Sequence, residues 1–196
     1  MEMSNVWPTI LAALPAIVVS ILSIVIGWFQ RKKEKKQARN ENKCDSLKQK
    51  LQSFYYPYLL LEKENTELYK LFANEEKKND DSFKTLVYLL NGHKDDFSEN
   101  DKSILRIIIE NDGKLRKLIN ENGQYIDSDT LRKDLSDMAV HYQLIEMAYD
   151  GSINEVDGLQ VYSKHVYPLD IQTKIEAEKK KIEDKIKELQ PGEKKD

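Results

Sequence analysis

From Val6 to Phe29 the chain runs for 24 residues without a charge, and it then meets a dense basic cluster. As a helix this run would be roughly 36 Å long, against roughly 30 Å for the apolar core of a bilayer. It is therefore expected to cross a membrane once, with some tilt. A cleavable signal peptide fits less well, because no positive charge precedes the run and the run is longer than a signal's apolar region. The basic residues Arg31, Lys32, Lys33, Lys35, Lys36 and Arg39 follow directly. Such flanks stay on the cytoplasmic side, which leaves a short N-terminal tail outside and the remainder of the chain in the cytoplasm. Trp7 and Trp28 stand near the two ends, where amphipathic rings prefer to sit.

The net charge of −3 conceals a polarised molecule. Residues 30–50 hold nine basic and three acidic side chains, a net of +6, whereas residues 51–196 hold 22 and 30, a net of −8. A duplex nucleic-acid binder concentrates positive charge on its folded body, so direct duplex binding is not expected. The basic cluster has simpler uses, setting topology and touching anionic lipid. The single cysteine, Cys44, excludes an intrachain disulfide and any multi-cysteine zinc site.

Within the uncharged run, Thr9, Ala13, Ala16, Ser20, Ser23 and Gly27 follow one another at alternating steps of four and three, which is one helical face. Small residues let neighbouring helices approach closely, and serine hydroxyls bond across them. The stripe is either a packing seam between copies or the lining of a narrow pore built from a ring of helices. Bulkier residues such as Ile10, Leu14, Ile17, Ile21 and Ile24 form a lipid-suited face. Pro15 removes one helical hydrogen bond, which both readings tolerate.

Beyond the basic stretch, apolar residues return at helical spacing in Leu47, Leu51, Phe54, Tyr58 and Leu61, then Leu68 and Phe72. Pro57 should kink or restart this helix near Tyr56. Asn74–Asp81 reads as a polar loop, after which Ser82 opens a short helix ended by Asn91 and Gly92. Ser98 with Asp101 reads as a capping-box variant, opening a helix that Asn122 and Gly123 close. Gly113 inside it allows a bend. Ser128 starts a helix whose core stripe is Leu131, Leu135, Met138, Tyr142, Ile145 and Tyr149, closed at Gly151. A charged final helix is expected from Leu169 to about Gln190, supported by pairs such as Lys179 with Glu183. No segment alternates cleanly enough for a sheet, although Leu159–Val166 could hold a short strand. The expected fold is all-α: a transmembrane anchor (1–29) continuing through a basic juxtamembrane helix or linker (30–50) into a cytosolic bundle of about five helices (51–190), with a frayed tail (191–196).

Motifs for enzymatic chemistry are missing. There is no glycine-rich phosphate loop, no nucleophile elbow, no zinc-protease helix and no Cys/His cluster, so neither a metal nor a cofactor is expected. His93 lies in a polar turn with Asp95 and Asp96, and His141 adjoins the core position Tyr142. HEPN ribonucleases, which are small helical domains, place an Arg four to six residues before a His, pairing a cation for the phosphate with a proton shuttle. Here Arg132 precedes His141 by eight intervening residues. These two are the remaining candidates for such a pair, and His93 and His165 have no Arg at that spacing.

With its uncharged anchor, basic linker and aromatic-proline patch "FYYPYLLLE" (Phe54 to Glu62), and with the later segments "LIEMAYDG" and "KHVYP", the chain resembles bacterial single-pass proteins linked to phage defence. Among these is the membrane accessory family of type VI-B CRISPR systems. The resemblance implies a HEPN-like bundle on an N-terminal anchor, in the bacterial inner membrane, assembling as a homo-oligomeric pore. A CRISPR ribonucleoprotein or another defence component would be a partner alongside lipid and further copies of the chain. The expected function is membrane perturbation that depolarises the cell. The alternatives are a tethered adaptor that recruits a cytosolic partner, and a tethered ribonuclease using Arg132 and His141.

Overall fold

The structure, a computed structural model, describes residues 6–79, 83–154, 167 and 170–190, and for residues 6–21 and 73–79 it describes the backbone alone. Among these residues the chain is helical, with six α-helices and no strand: α1 (Val6–Lys50), α2 (Tyr56–Asn79), α3 (Thr85–Leu90), α4 (Glu99–Asn122), α5 (Asp129–Asp150) and α6 (Ile171–Leu189). Five helices thus follow the first, and the all-α expectation holds. The chain divides into two compact units, residues 1–46 with 186–196, and residues 47–185.

In the first unit, α1 carries the uncharged run and the basic cluster on one unbroken helix. Leu22, Ile24, Val25, Ile26, Trp28 and Phe29 are between 43% and 71% exposed, and Trp28 meets Phe29 edge-on with ring centres 5.1 Å apart. Cys44 is buried, with its thiol 4.0 Å from the Ile186 carbonyl. Among the described residues no helix is long and apolar enough to cross a membrane. Most of the uncharged run, residues 6–21, lies where side chains are not described.

The second unit begins with the consequence of Pro57. A single π-helical turn occupies Leu51–Tyr55, closed by the Tyr56 N–H donating to the Leu51 carbonyl five residues back. Proline has no N–H to offer the Ser53 carbonyl, and its ring would press against it in a regular helix. The wider turn relieves that clash, and α2 restarts at Tyr56. It also rotates Leu51, Phe54 and Tyr55 together into the interior. Here local chemistry and the restart expected from the sequence agree.

The caps behave as the sequence implies. Ser98 accepts the Asp101 N–H at 3.1 Å and Ser128 accepts the Leu131 N–H at 3.3 Å, each satisfying an otherwise orphaned amide of a first turn. Gly92 and Gly151 take φ of 79° and 81°, the left-handed conformation that ends α3 and α5 and that side chains with a Cβ resist. Helix α4 runs through Gly113 without interruption. Residues 74–79, expected as loop, belong to α2. Glu75, Glu76, Lys77 and Lys78 are polar but good helix formers, and no Gly or Pro interrupts them. Residues 80–82, including the expected Ser82 cap, lie outside the described residues, as do Leu159–Val166 and the tail after Gln190.

Two apolar regions fill the second unit. One joins Phe72 of α2, Leu86, Leu89 and Leu90 of α3, Phe97 just before α4, Leu105 and Ile108 of α4, and Leu144, Ile145 and Ala148 of α5. Phe97 packs edge-on against Phe72 with centroids 5.1 Å apart, a favoured aromatic geometry. Towards the other ends of the same helices, Phe54, Tyr55, Tyr58, Leu115, Ile119, Leu131, Leu135 and Met138 are buried, as are Ile171 and Ile175 of α6. Leu135 is fully buried, so Leu135→Ala is expected to cost about 2–5 kcal/mol in denaturant unfolding. Gly151→Ala, forced into the left-handed region, should cost about 1 kcal/mol by the same measurement.

A buried carboxylate and tyrosine cluster as candidate functional site

Between the two apolar regions, α2 and α4 bury polar side chains at mid-length. On α2 the buried positions run Tyr58, Glu62, Asn65, then Phe72, and on α4 they run Leu105, Ile108, Asp112, Leu115, Ile119. Steps of three, four and seven make each set one helical stripe. Glu62, Asn65 and Asp112 thus occupy core positions, with 4%, 8% and 6% of their surface exposed.

The group consists of two hydrogen-bonded sets, one on each carboxyl. Asn65 donates through Nδ2 to Asp112 Oδ1 at 2.7 Å and, more weakly, to the Ile108 carbonyl at 3.4 Å. Glu62 accepts from the Tyr167 hydroxyl and also from Thr66 and Tyr142. The hydroxyls of Tyr58 and Tyr142 lie 3.5 Å apart. Asn111, one position before Asp112 and 2% exposed, donates to Glu64 at 3.0 Å and accepts from Lys114 at 2.9 Å.

The electrostatics are set first by burial. Among the described residues neither Glu62 nor Asp112 forms an ion pair with a lysine or arginine, and the nearest pair along α4 is Arg116 with Glu146 of α5 at 3.3 Å. Removal from water raises the Glu62 carboxyl above its ordinary range, and its hydroxyl donors oppose that shift. Asp112 is pushed well above the carboxylate range, first by burial and then by the negative charge of Glu62, with only Asn65 opposing. Burial likewise raises the phenols of Tyr58, Tyr142 and Tyr167, so all three remain neutral donors at ordinary pH. The chemistry available is proton holding and hydrogen bonding by hard oxygen groups.

The residues singled out in the sequence fall elsewhere. Thr9, Ala13, Ala16 and Ser20 lie where side chains are not described. Ser23 is exposed and Gly27 half-buried, and a Cβ on Gly27 would meet nothing within 4 Å. Arg31, Lys32, Lys33, Lys35, Lys36 and Arg39 are all exposed, and the Lys32 ammonium sits 5.1 Å from the Trp28 ring centre. Arg132 and His141 are not brought together. Nine residues apart on α5, they are separated by roughly 13 Å along the axis and half a turn around it. Arg132 is held at the helix start by the Ile126 carbonyl at 2.8 Å and Asp129 at 3.2 Å. His141 instead meets Tyr167 edge-on, with ring centres 5.9 Å apart, which places it beside the buried cluster. His93 bonds Asp96 at 2.9 Å and stacks at 4.8 Å on Tyr88, completing an exposed turn. His165 lies outside the described residues, among which no group of three or more His, Cys, Asp or Glu side chains could hold a metal ion.

Sequence periodicity held the signal for the cluster, because Glu62, Asn65 and Asp112 fall in register with the apolar stripes. Tyr167 could not have been found that way, since it lies far along the chain and outside any helix. Tyr167→Phe removes a donor from a buried carboxyl and should cost about 1–3 kcal/mol in denaturant unfolding. Tyr58→Phe, whose hydroxyl contact is long, should cost less than about 1 kcal/mol. Compared with protein-family models, with curated proteins and with solved structures, the chain finds no match.

Proposed function

We propose that the protein is anchored in a bacterial inner membrane by residues 6–29, and that copies associate there as a pore or membrane-perturbing effector of phage defence. The observation that carries this reading is α1: an uncharged run of 24 residues and the basic cluster share one helix. The apolar side chains Leu22, Ile24, Val25, Ile26, Trp28 and Phe29 are exposed. An apolar surface of this kind calls for lipid or another copy to cover it. The exposed cations from Arg31 to Arg39 suit an anionic, cytoplasmic membrane surface, and Lys32 over Trp28 suits an interfacial anchor. The small-residue face, Thr9 to Gly27, is where such helices would approach each other or line a path.

The tethered-ribonuclease reading gains nothing from the geometry, because Arg132 and His141 point to opposite sides of α5. The tethered adaptor would need the anchor only as an address. Ion flux through vesicles carrying the full chain separates the two. Ser23→Leu and Ser20→Leu should abolish flux while assembly persists, since a leucine narrows a small-residue path. Flux equal to that of the unsubstituted chain would remove these residues from the lining.

A further inference from the structure

The buried cluster supports an inference independent of membrane activity. We propose that Glu62, Asn65 and Asp112 form a proton-binding site inside the bundle, in which two carboxyl groups hold one proton and its loss weakens the packing of α2 on α4. Three observations meet here. Two carboxyls come from different helices into one buried layer and lack a lysine or arginine partner among the described residues. Their hydrogen-bond partners are unequal: Glu62 accepts from three hydroxyls, whereas Asp112 accepts from one amide. Finally, Asn65, 8% exposed, has a buried Oδ1 without a hydrogen-bond partner.

The inequality assigns the charge. Hydroxyl donors stabilise an ionised carboxylate, so Glu62 carries the negative charge. Asp112, more poorly solvated and repelled by that charge, retains the proton. Asn65 bonds Asp112, and Glu62, Tyr58, Tyr142 and Tyr167 interact with it electrostatically; on its own helix Arg116 pairs with Glu146 through Nη2 while its Nη1 is buried without a hydrogen-bond partner, and Lys114 donates to Asn111. None of these supplies a cation to the pair. Asn65 fits both states of Asp112. Its amide donates to the ionised form as it stands, with Oδ1 idle. A half-turn of the same amide would bring Oδ1 to Asp112, where it accepts the proton of the neutral acid. On ionisation the proton passes to solvent, and two like charges are left in one dry layer, which is costly.

The sign of the pH dependence follows from the raised folded-state affinity for the proton. Between the unfolded carboxyl value of about 4 and the higher folded one, the folded chain binds more protons than the unfolded chain. The stability of this state is full below about pH 4 and is lost as pH rises through the folded value. Asp150 and Asp170, whose carboxyls are held low by Ser152 and Lys174, titrate below this window. The three histidines are present in all three chains compared, and His141 stands beside the layer, its ring centre 5.9 Å from that of Tyr167.

The test is thermal unfolding of the full chain in detergent from about pH 5 to about pH 9, alongside Asp112→Asn and Glu62→Gln. The unsubstituted chain should lose about 2–4 °C of midpoint per pH unit relative to Asp112→Asn while the extra proton is held. Glu62→Gln, which keeps an acceptor for Tyr167 but removes the repelling charge, should flatten the same slope in part. Profiles that run parallel for all three chains would overturn the site. If millimolar calcium or potassium chloride restored the high-pH midpoint of the unsubstituted chain but not of Asp112→Asn, the layer would be a metal-cation site and the proton assignment would be wrong.

Discussion

The packing of α2 against α4 is the contact around which the larger unit is organised. Both helices present their stripes to it, α5 adds Tyr142, and Tyr167 reaches it from outside any helix. A seam of leucines would have held these elements with less electrostatic cost. Instead its middle layer holds two carboxyls and an amide, flanked on each helix by aromatic and aliphatic residues. Such a layer stabilises only when its hydrogen bonds and its proton count are right. It therefore fixes the register of α2 on α4 more strictly than an apolar seam, since sliding either helix by one turn would strand the carboxyls against hydrocarbon.

Much of this architecture was legible in the sequence because it rests on local chemistry. Ser98, Ser128, Gly92 and Gly151 mark helix ends through side-chain caps and positive φ, and Pro57 forces a change of helical register within a few residues of itself. The apolar stripe of α5 needs only its own periodicity. The misreading of residues 74–79 has the same root, since Glu and Lys are polar enough to suggest a loop and helical enough to continue one. The polar layer was hidden for the opposite reason. A Glu or Asp within an apolar stripe is normally discounted as an interruption, whereas here three interruptions on two helices meet in space.

The two units raise different functional questions. In the first, an uncharged run, a small-residue face and exposed cations share one helix, and their chemistry suits a bilayer and its surface. In the second, Arg132 and His141 lie on opposite sides of one helix, and the described residues bury a layer of carboxyls, an amide and phenols. The proposal of an effector acting through its anchor rests on the first unit alone. The buried layer gives the helical bundle a role as a structural body whose stability answers to protons.

The most direct measurement is the mass of the full-length protein in detergent. The account predicts a closed assembly of about six or more copies, enough for single helices to surround a path along the axis. A monomer or dimer would contradict it, because one span from each of two chains cannot enclose a channel.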